Sequence, residues 1–353
     1  MTGISMVELA DGAAGTQLLD AAAQVGDPVV VVDLDGPVSS RRLESAVRAA
    51  RACDRVLAGV ATSPVPGRLA RLTEALDLTL DPQGGRRELV ASADPATDVA
   101  ELCVAAKANP HATFVLAHLL RVTGRLDVPA ALDAESFAYS TLLGGAEFAE
   151  WLSRRTPRPL PPPARDPILL RLDGARLRIT LNRPDRRNAY GRELRDALVS
   201  AFQVADLNPA IEEVVLDGNG PAFCAGGDLA EFGTAPDLVT AHLVRTRAGA
   251  ALPVHRLADR LEVRVHGDCV GAGIELPAFA SRVIACPNTT FRLPEVSMGL
   301  IPGAGGTVGI PRRIGRWRTL AMALSGMPVT AATALTWGLV DAVQDVRAPS
   351  VMP

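Results

Sequence analysis

Residues 157–167 read PRPLPPPARDP, six prolines in eleven residues. Proline lacks a backbone N–H and fixes φ, so this stretch joins neither a helix interior nor a central strand. It favours an extended polyproline II strap, and it divides the 353-residue chain near its middle. The fold must therefore be built from two halves. With 48% hydrophobic and 21% charged residues there is material for a sizeable core, and global disorder is excluded.

The first half changes texture once. Over 1–96 it predicts an α/β region. The run PVVVVDLDG, closed by Asp35-Gly36, reads as a buried strand. A helix follows over Arg41–Cys53, then a strand over Val56–Val60, a helix over Gly67–Leu78 and a strand over Leu89–Ala93, which suggests a small parallel layer. Residues 97–156 predict helices at Thr97–Ala108, Pro110–Thr123, Val128–Leu143 and Ala146–Arg155. Asn109-Pro110 and Gly144-Gly145 supply the breaks.

The second half, 168–345, opens with a hairpin around Asp173-Gly174 and then alternates strands with helices. That rhythm is compatible with a spiral of ββα units; a short tail, 346–353, follows. The fold class expected is α/β throughout.

Charge and composition narrow the function. The net charge is −3 and no block of five like charges occurs, which argues against nucleic acid as a partner. Lys107 is the lone lysine, so a catalytic lysine is all but excluded. Cys53, Cys103, Cys224, Cys269 and Cys286 are scattered, without a C-x-x-C pair, so neither a disulfide framework nor a zinc site is expected. No apolar run reaches 18 residues and no leader pattern opens the chain. A cytoplasmic protein with no membrane partner is the expectation.

Three segments carry the candidate chemistry: PAFCAGGDLAEF (221–232), HGDCVGAGIEL (266–276) and FRLPEVSMGLIPGAGGT (291–307). Small residues such as Gly226-Gly227 and Gly271-Ala272-Gly273 let a ligand approach the backbone. Each group is expected where a strand hands over to a helix, whose exposed N–H groups favour negative charge. Two such groups can converge on one oxygen. Taken singly, these glycines are ordinary turn-makers. Glu275 and Glu295 are two carboxylates in apolar surroundings, where one can serve as base and the other as acid. Taken singly, a glutamate near a helix start is usually a dipole partner.

Together the segments resemble the crotonase (enoyl-CoA hydratase/isomerase) family. FCAGGDL, GDCVGAGIE and PEVSMGLIPGAGGT follow its order and spacing, with NRPDRRNAYG upstream and IGRWRTLAMALSGMPVTAATALTWGLVDAV downstream. The resemblance covers roughly residues 168–345. It implies a crotonase spiral and an acyl-CoA thioester substrate, with CoA arriving as part of that substrate and no metal or redox cofactor. It further implies an oxyanion hole from the N–H groups of Gly227 and Ala272, and catalytic carboxylates Glu275 and Glu295. Gly227, Asp228, Leu229, Ala230 and Ala272 would line the acyl-CoA site, with Ala225 near the adenine pocket. Hydration of a 2-enoyl-CoA is the leading reaction. The alternatives are double-bond isomerisation, thioester hydrolysis, cofactor-independent dioxygenation of an aryl-acetyl-CoA, and acyl-CoA binding without turnover. A homotrimer or hexamer is implied as well.

Cys224, Cys269 and His266 match no catalytic role and read as packing residues. The chain departs from the family in three places. Ala272 stands where glycine is frequent, which leaves the N–H intact. Pro277 follows Glu275 by two residues and bears on the carboxylate's position. Finally, residues 100–159 resemble the helices that relatives carry after the core, yet here they precede it. The 1–96 region reads as a shortened, degenerate relative of the core. The helices are expected to bury their apolar faces against the core's uncovered face, their own or a neighbour's.

Overall fold

A computed structural model describes residues 3–345, apart from 23, 157–158, 161 and 163–164. The proline strap lies partly, and the 346–353 tail wholly, outside the described residues.

The first half contains β1 (Gly3–Ser5), α1 (Met6–Ala10), β2 (Val29–Asp33), α2 (Ser40–Ala52), β3 (Val56–Val60), α3 (Ala70–Ala75), β4 (Leu78–Asp81) and β5 (Val90–Ala91). The strands form a parallel sheet in the order β1-β2-β3-β4-β5. Alternation along β2 decides what each face buries. Val30 and Val32 pack with α1 and α2 through Met6, Leu9, Ala46 and Val47. Val31 enters a second cluster that runs through the helical segment into the C-terminal half. A parallel sheet covered on both faces is the ordinary outcome of such β-branched runs.

Two expectations need correction here. The helix expected to reach Leu78 ends at Ala75, because Leu76 is extended and Leu78-Thr79-Leu80-Asp81 is a fully buried strand. The layer expected to open with the PVVVVDLDG strand has an earlier strand, because Gly3–Ser5 supplies β1 ahead of it.

The helical segment holds α4 (Pro95–Ala108), α5 (Pro110–Thr123), α6 (Val128–Leu143) and α7 (Ala146–Ser153). Asp94 and Asp127 cap α4 and α6 by accepting the N–H of Thr97 and Ala130.

The second half runs β6 (Ile168–Asp173), β7 (Arg176–Leu181), α8 (Arg192–Leu207), β8 (Glu213–Gly218), α9 (Leu238–Arg247), α10 (Ala251–Arg256), β9 (Leu261–Val265), β10 (Asp268–Val270) and α11 (Ala272–Glu275). It continues with β11 (Arg282–Ala285), β12 (Thr290–Arg292), α12 (Gly306–Ile314), α13 (Arg316–Ser325), β13 (Val329–Thr330), α14 (Ala331–Trp337) and β14 (Ala342–Val343). The main sheet has the order β14-β11-β9-β8-β7-β6, parallel except for the β6–β7 hairpin. A second sheet has the order β10-β12-β13. After β9 and again after β11 the chain steps from the main sheet into the second one, and a helix follows. This is the expected ββα spiral.

The helices at 95–153 pack on the chain's own core. Helix α5 meets α12 and α13, α6 meets α9 and α12, and α4 meets α13. Polar clasps reinforce this. The Asp77 carboxylate, 1% exposed, accepts the Leu57 N–H at 2.9 Å. It also accepts Arg121 of α5 at 2.8 and 2.6 Å and Arg316 of α13 at 3.0 Å. One carboxylate thus ties the first sheet, the helical segment and the core together. Removing one member of a buried ion cluster leaves the others uncompensated. Asp77→Asn is expected to lower stability by about 2 kcal/mol, read from urea unfolding, whereas a change below ~0.5 kcal/mol would show the clasp to be inert. Among the described residues, no helix is long and apolar enough to cross a membrane.

Candidate active site

Gly271 precedes α11 with φ +49°, a left-handed conformation that favours glycine. A side chain there is excluded for a second reason. Its Cβ would lie 2.5 Å from Glu295 Oε1 and 3.4 Å from Glu275 Oε1. Both carboxylates therefore converge on one point of the backbone, although twenty residues separate them in sequence. Glu275 closes the single turn of α11, and Glu295 opens a 3-10 turn over Glu295–Met298. Pro277 does not disrupt this. It starts a separate 3-10 turn, Pro277–Phe279, after α11 has ended.

The two carboxylates have different partners. Glu275 Oε2 accepts the N–H of Ala304 at 2.7 Å and of Gly306 at 2.9 Å. Glu295 Oε2 is buried with no hydrogen-bond partner among the described residues. Burial pushes both pKa values up, that of Glu295 to about 8. For Glu275 the charges of Glu295 and Glu135 add to burial. The donors of Ala304 and Gly306 oppose this rise at Glu275, whereas Glu295 Oε2 has no donor to oppose it.

Glu135 of α6 belongs to the same site and was not singled out from sequence. It is 2% exposed. It accepts the N–H of Gly305 at 2.8 Å, the N–H of Thr307 at 2.9 Å and the Thr307 hydroxyl at 2.7 Å. Glu275 and Glu135 thus take alternate N–H groups of the 304–307 loop, one from the core and one from the helical segment. Burial raises the Glu135 pKa to about 7 despite these donors.

The carboxylates face a cavity of about 740 Å³. Its core walls include Gly227, Asp228, Ala272, Glu275 and Glu295, and Tyr139, Leu143, Phe148 and Leu152 of the helical segment close it. Among the described residues, no protein acceptor takes the N–H of Gly227 or of Ala272. Ala272 is the first residue of α11, where an N–H has no intrahelical partner. Gly227 lies instead in an irregular loop between β8 and α9, so the expected strand-to-helix handover does not occur there.

The other candidates divide. The Asp228 carboxylate is 4% exposed and accepts Arg186 at 2.7 and 2.9 Å, so it braces the loop. Ala225, Leu229 and Ala230 lie on this loop but are not among the cavity's walls. Cys224 and Cys269 are buried beside each other, and His266 is tied to the Gly220 carbonyl at 3.0 Å. All three pack, as expected.

Comparison with known proteins identifies the family. The sequence pattern of the family described as enoyl-CoA hydratase/isomerase matches residues 174–348. The 1,2-epoxyphenylacetyl-CoA isomerase of Escherichia coli is 33% identical over 189 residues, covering 50% of this chain and 70% of that protein. The 2,3-dehydroadipyl-CoA hydratase of the same organism is 37% identical over 167 residues, covering 47% and 65%. A crystal structure of an enoyl-CoA hydratase from Mycobacterium smegmatis aligns at 31% identity, covering 51% and 70%, with a TM-score of 0.47. The chain belongs to the enoyl-CoA hydratase/isomerase family. It spans just under two thirds of the length of the first curated relatives it matches.

Proposed function

We propose that the protein hydrates a 2-enoyl-CoA thioester. The observation that carries this reading is a pair of buried carboxylates, one accepting two backbone N–H groups and the other with one oxygen unpartnered, facing one cavity with two unpaired N–H groups. In the proposed reaction Glu275 takes a proton from water, and the hydroxide oxygen bonds to Cβ. The electron pair of the double bond moves onto the thioester oxygen. The N–H groups of Gly227 and Ala272 hold the enolate oxygen, each contributing on the order of 3 kcal/mol. Glu295 then gives its proton to Cα. Hydratases among the relatives support this reading.

Residue placement supports two accompanying expectations. Strand β6 leaves Leu169, Leu170 and Leu172 exposed at the sheet edge, an apolar strip suited to assembly as a trimer or hexamer. The five cysteines are buried and unpaired, which suits a reducing cytoplasm.

The test is loss of the conjugated-thioester absorbance on mixing the protein with a panel of 2-enoyl-CoA substrates. Turnover of at least one member, with incorporation of one solvent oxygen at Cβ, is the expected result. Absence of turnover across the panel would defeat the hydratase reading.

A further inference from the structure

The cavity contains a cation that this chemistry does not use. Arg245, near the end of α9, lines the main cavity and also a smaller adjoining one of about 130 Å³. The two share Tyr190, Arg195, Gly303 and Ala304. The contacts run outward from the carboxylates in sequence. Glu275 holds the Ala304 N–H. The Tyr139 ring lies so close to Gly303 that a Cβ there would be 2.3 Å from it. The Arg245 guanidinium stands 4.6 Å from the centre of the Tyr139 ring.

Arg245 is fixed by hydrogen bonds to neutral groups, and the carboxylate whose charge it feels, Glu135, makes its own hydrogen bonds to other groups. Its Nε donates to Ser136 Oγ at 3.1 Å, and its Nη2 donates to the Ser136 carbonyl at 3.2 Å and to Ser140 Oγ. These acceptors carry no charge. The other charged groups around the smaller cavity are committed. Arg195 pairs with Asp196 at 2.7 Å and Arg247 with Asp133 at 3.5 Å. The Glu135 carboxylate is consumed by the 305–307 loop. Among the described residues, no carboxylate pairs with Arg245 and no protein acceptor takes its Nη1. A partly desolvated guanidinium held rigidly beside a ligand cavity is a receptor for a carboxylate.

We propose that Arg245 reads the far end of the acyl group, and that the substrates are 2-enoyl-CoA thioesters ending in a carboxylate. This rests on the hydratase reading for the identity of the thioester end. Tyr139 touches both Gly303, next to the Ala304 bound by Glu275, and the Arg245 guanidinium, and the proposed path of the acyl chain runs along its ring. Ser136 and Ser140 hold the guanidinium in place, which makes α6 part of the specificity determinant.

The test compares trans-2-hexenoyl-CoA with its ω-carboxylate counterpart, trans-2-hexenedioyl-CoA. Saturated six-carbon analogues with the same two ends serve in a calorimetric binding arm that needs no turnover. The wild-type protein is expected to favour the carboxylate end by at least about tenfold, in kcat/KM and in Kd. Arg245→Met keeps the volume and removes the charge. It is expected to abolish that preference through KM, while methyl-ended values move by less than about threefold. Arg245→Lys keeps a charge without the planar fork and should retain part of the preference. A wild-type protein that binds both ends equally overturns the proposal. So does an Arg245→Met variant that weakens both ligands alike, since that is the behaviour of a mere clasp. If neither thioester turns over, the hydratase reading fails while the calorimetric ratio still decides the role of Arg245.

Discussion

Glu295→Gln is expected to lower kcat by about 10²–10³-fold while making the protein more stable. The kinetic loss follows from the loss of the proton that would reach Cα, since a positioned acid or base typically contributes 10²–10⁴-fold. Glu275→Gln should lose a similar factor by a different route. It cannot take a proton from water, although its amide oxygen can stand at the Oε2 position and accept both the Ala304 and the Gly306 N–H. The stability effect separates the two. The Glu295 pKa is about 8 in the fold and ordinary in the unfolded chain, so between roughly pH 4.5 and 8 the folded state binds more protons. Stability from this group is complete below that window and is lost as pH rises through it. A neutral amide removes the dependence. Glu295→Gln should therefore match the wild type near pH 4 and exceed it at pH 8 by as much as about 4 kcal/mol, which raises Tm by several degrees. In Glu275→Gln the two backbone bonds lose their charge assistance, which offsets the relief of a buried carboxylate and leaves a smaller net gain. Kinetics and thermal unfolding at pH 5 and pH 8 read both effects. Full activity in either variant would remove that residue from the reaction, and a less stable Glu295→Gln at pH 8 would contradict the assigned ionisation.

The divided behaviour of these carboxylates explains what was legible in the sequence. The core segments could be read because close approaches between backbone and catalytic groups leave local marks. A Cβ at Gly273 would lie 2.2 Å from the Cys224 carbonyl, and one at Gly271 would strike Glu295. Such sites admit one residue type, at spacings fixed by short loops. Hence FCAGGDL, GAGIE and PEVSMG pointed to Gly227, Ala272, Glu275 and Glu295, which line one cavity. The hairpin at Asp173-Gly174 and the ends of α5 and α6 were equally local, set by turn and cap chemistry. Strand β4 was missed although Leu76-Asp77-Leu78-Thr79-Leu80 alternates apolar and polar, because so short a run also extends the helical spacing of Leu69, Leu72 and Leu76 before it. Glu135 was hidden more thoroughly. Its partner Thr307 is 172 residues away, and nothing in VPAALDAESFAYSTLL marks one glutamate as inward-facing. Asp77 and Arg316, 239 residues apart, posed the same problem. Contacts between the halves belong to tertiary packing, and one sequence holds no periodic trace of them.

The helical segment does more than cover the core, and Glu135→Ala is the substitution that shows it. The variant is expected to lose about 10²-fold in kcat with KM changed by less than about threefold. Truncation leaves the N–H groups of Gly305 and Thr307 and the Thr307 hydroxyl without their buried acceptor, at about 2 kcal/mol in stability. The same loop presents Ala304 and Gly306 to Glu275, so its relaxation displaces the proposed general base. A shift of about 1 Å at such a group is enough to account for the kinetic loss. Electrostatics supplies a signature that a purely structural role lacks. The negative charge of Glu135 raises the pKa values of Glu275 and Glu295, so its removal should move both limbs of the kcat–pH profile to lower pH. Glu135→Gln keeps one acceptor oxygen but turns an amide N–H₂ toward the remaining donor. It should fall between alanine and wild type in stability and show the same direction of pH shift. Unchanged kcat and an unmoved profile in a folded Glu135→Ala variant would reduce α6 to a lid. A lower kcat with a displaced profile would place the third carboxylate, carried by the other half of the chain, within the electrostatics of the reacting pair.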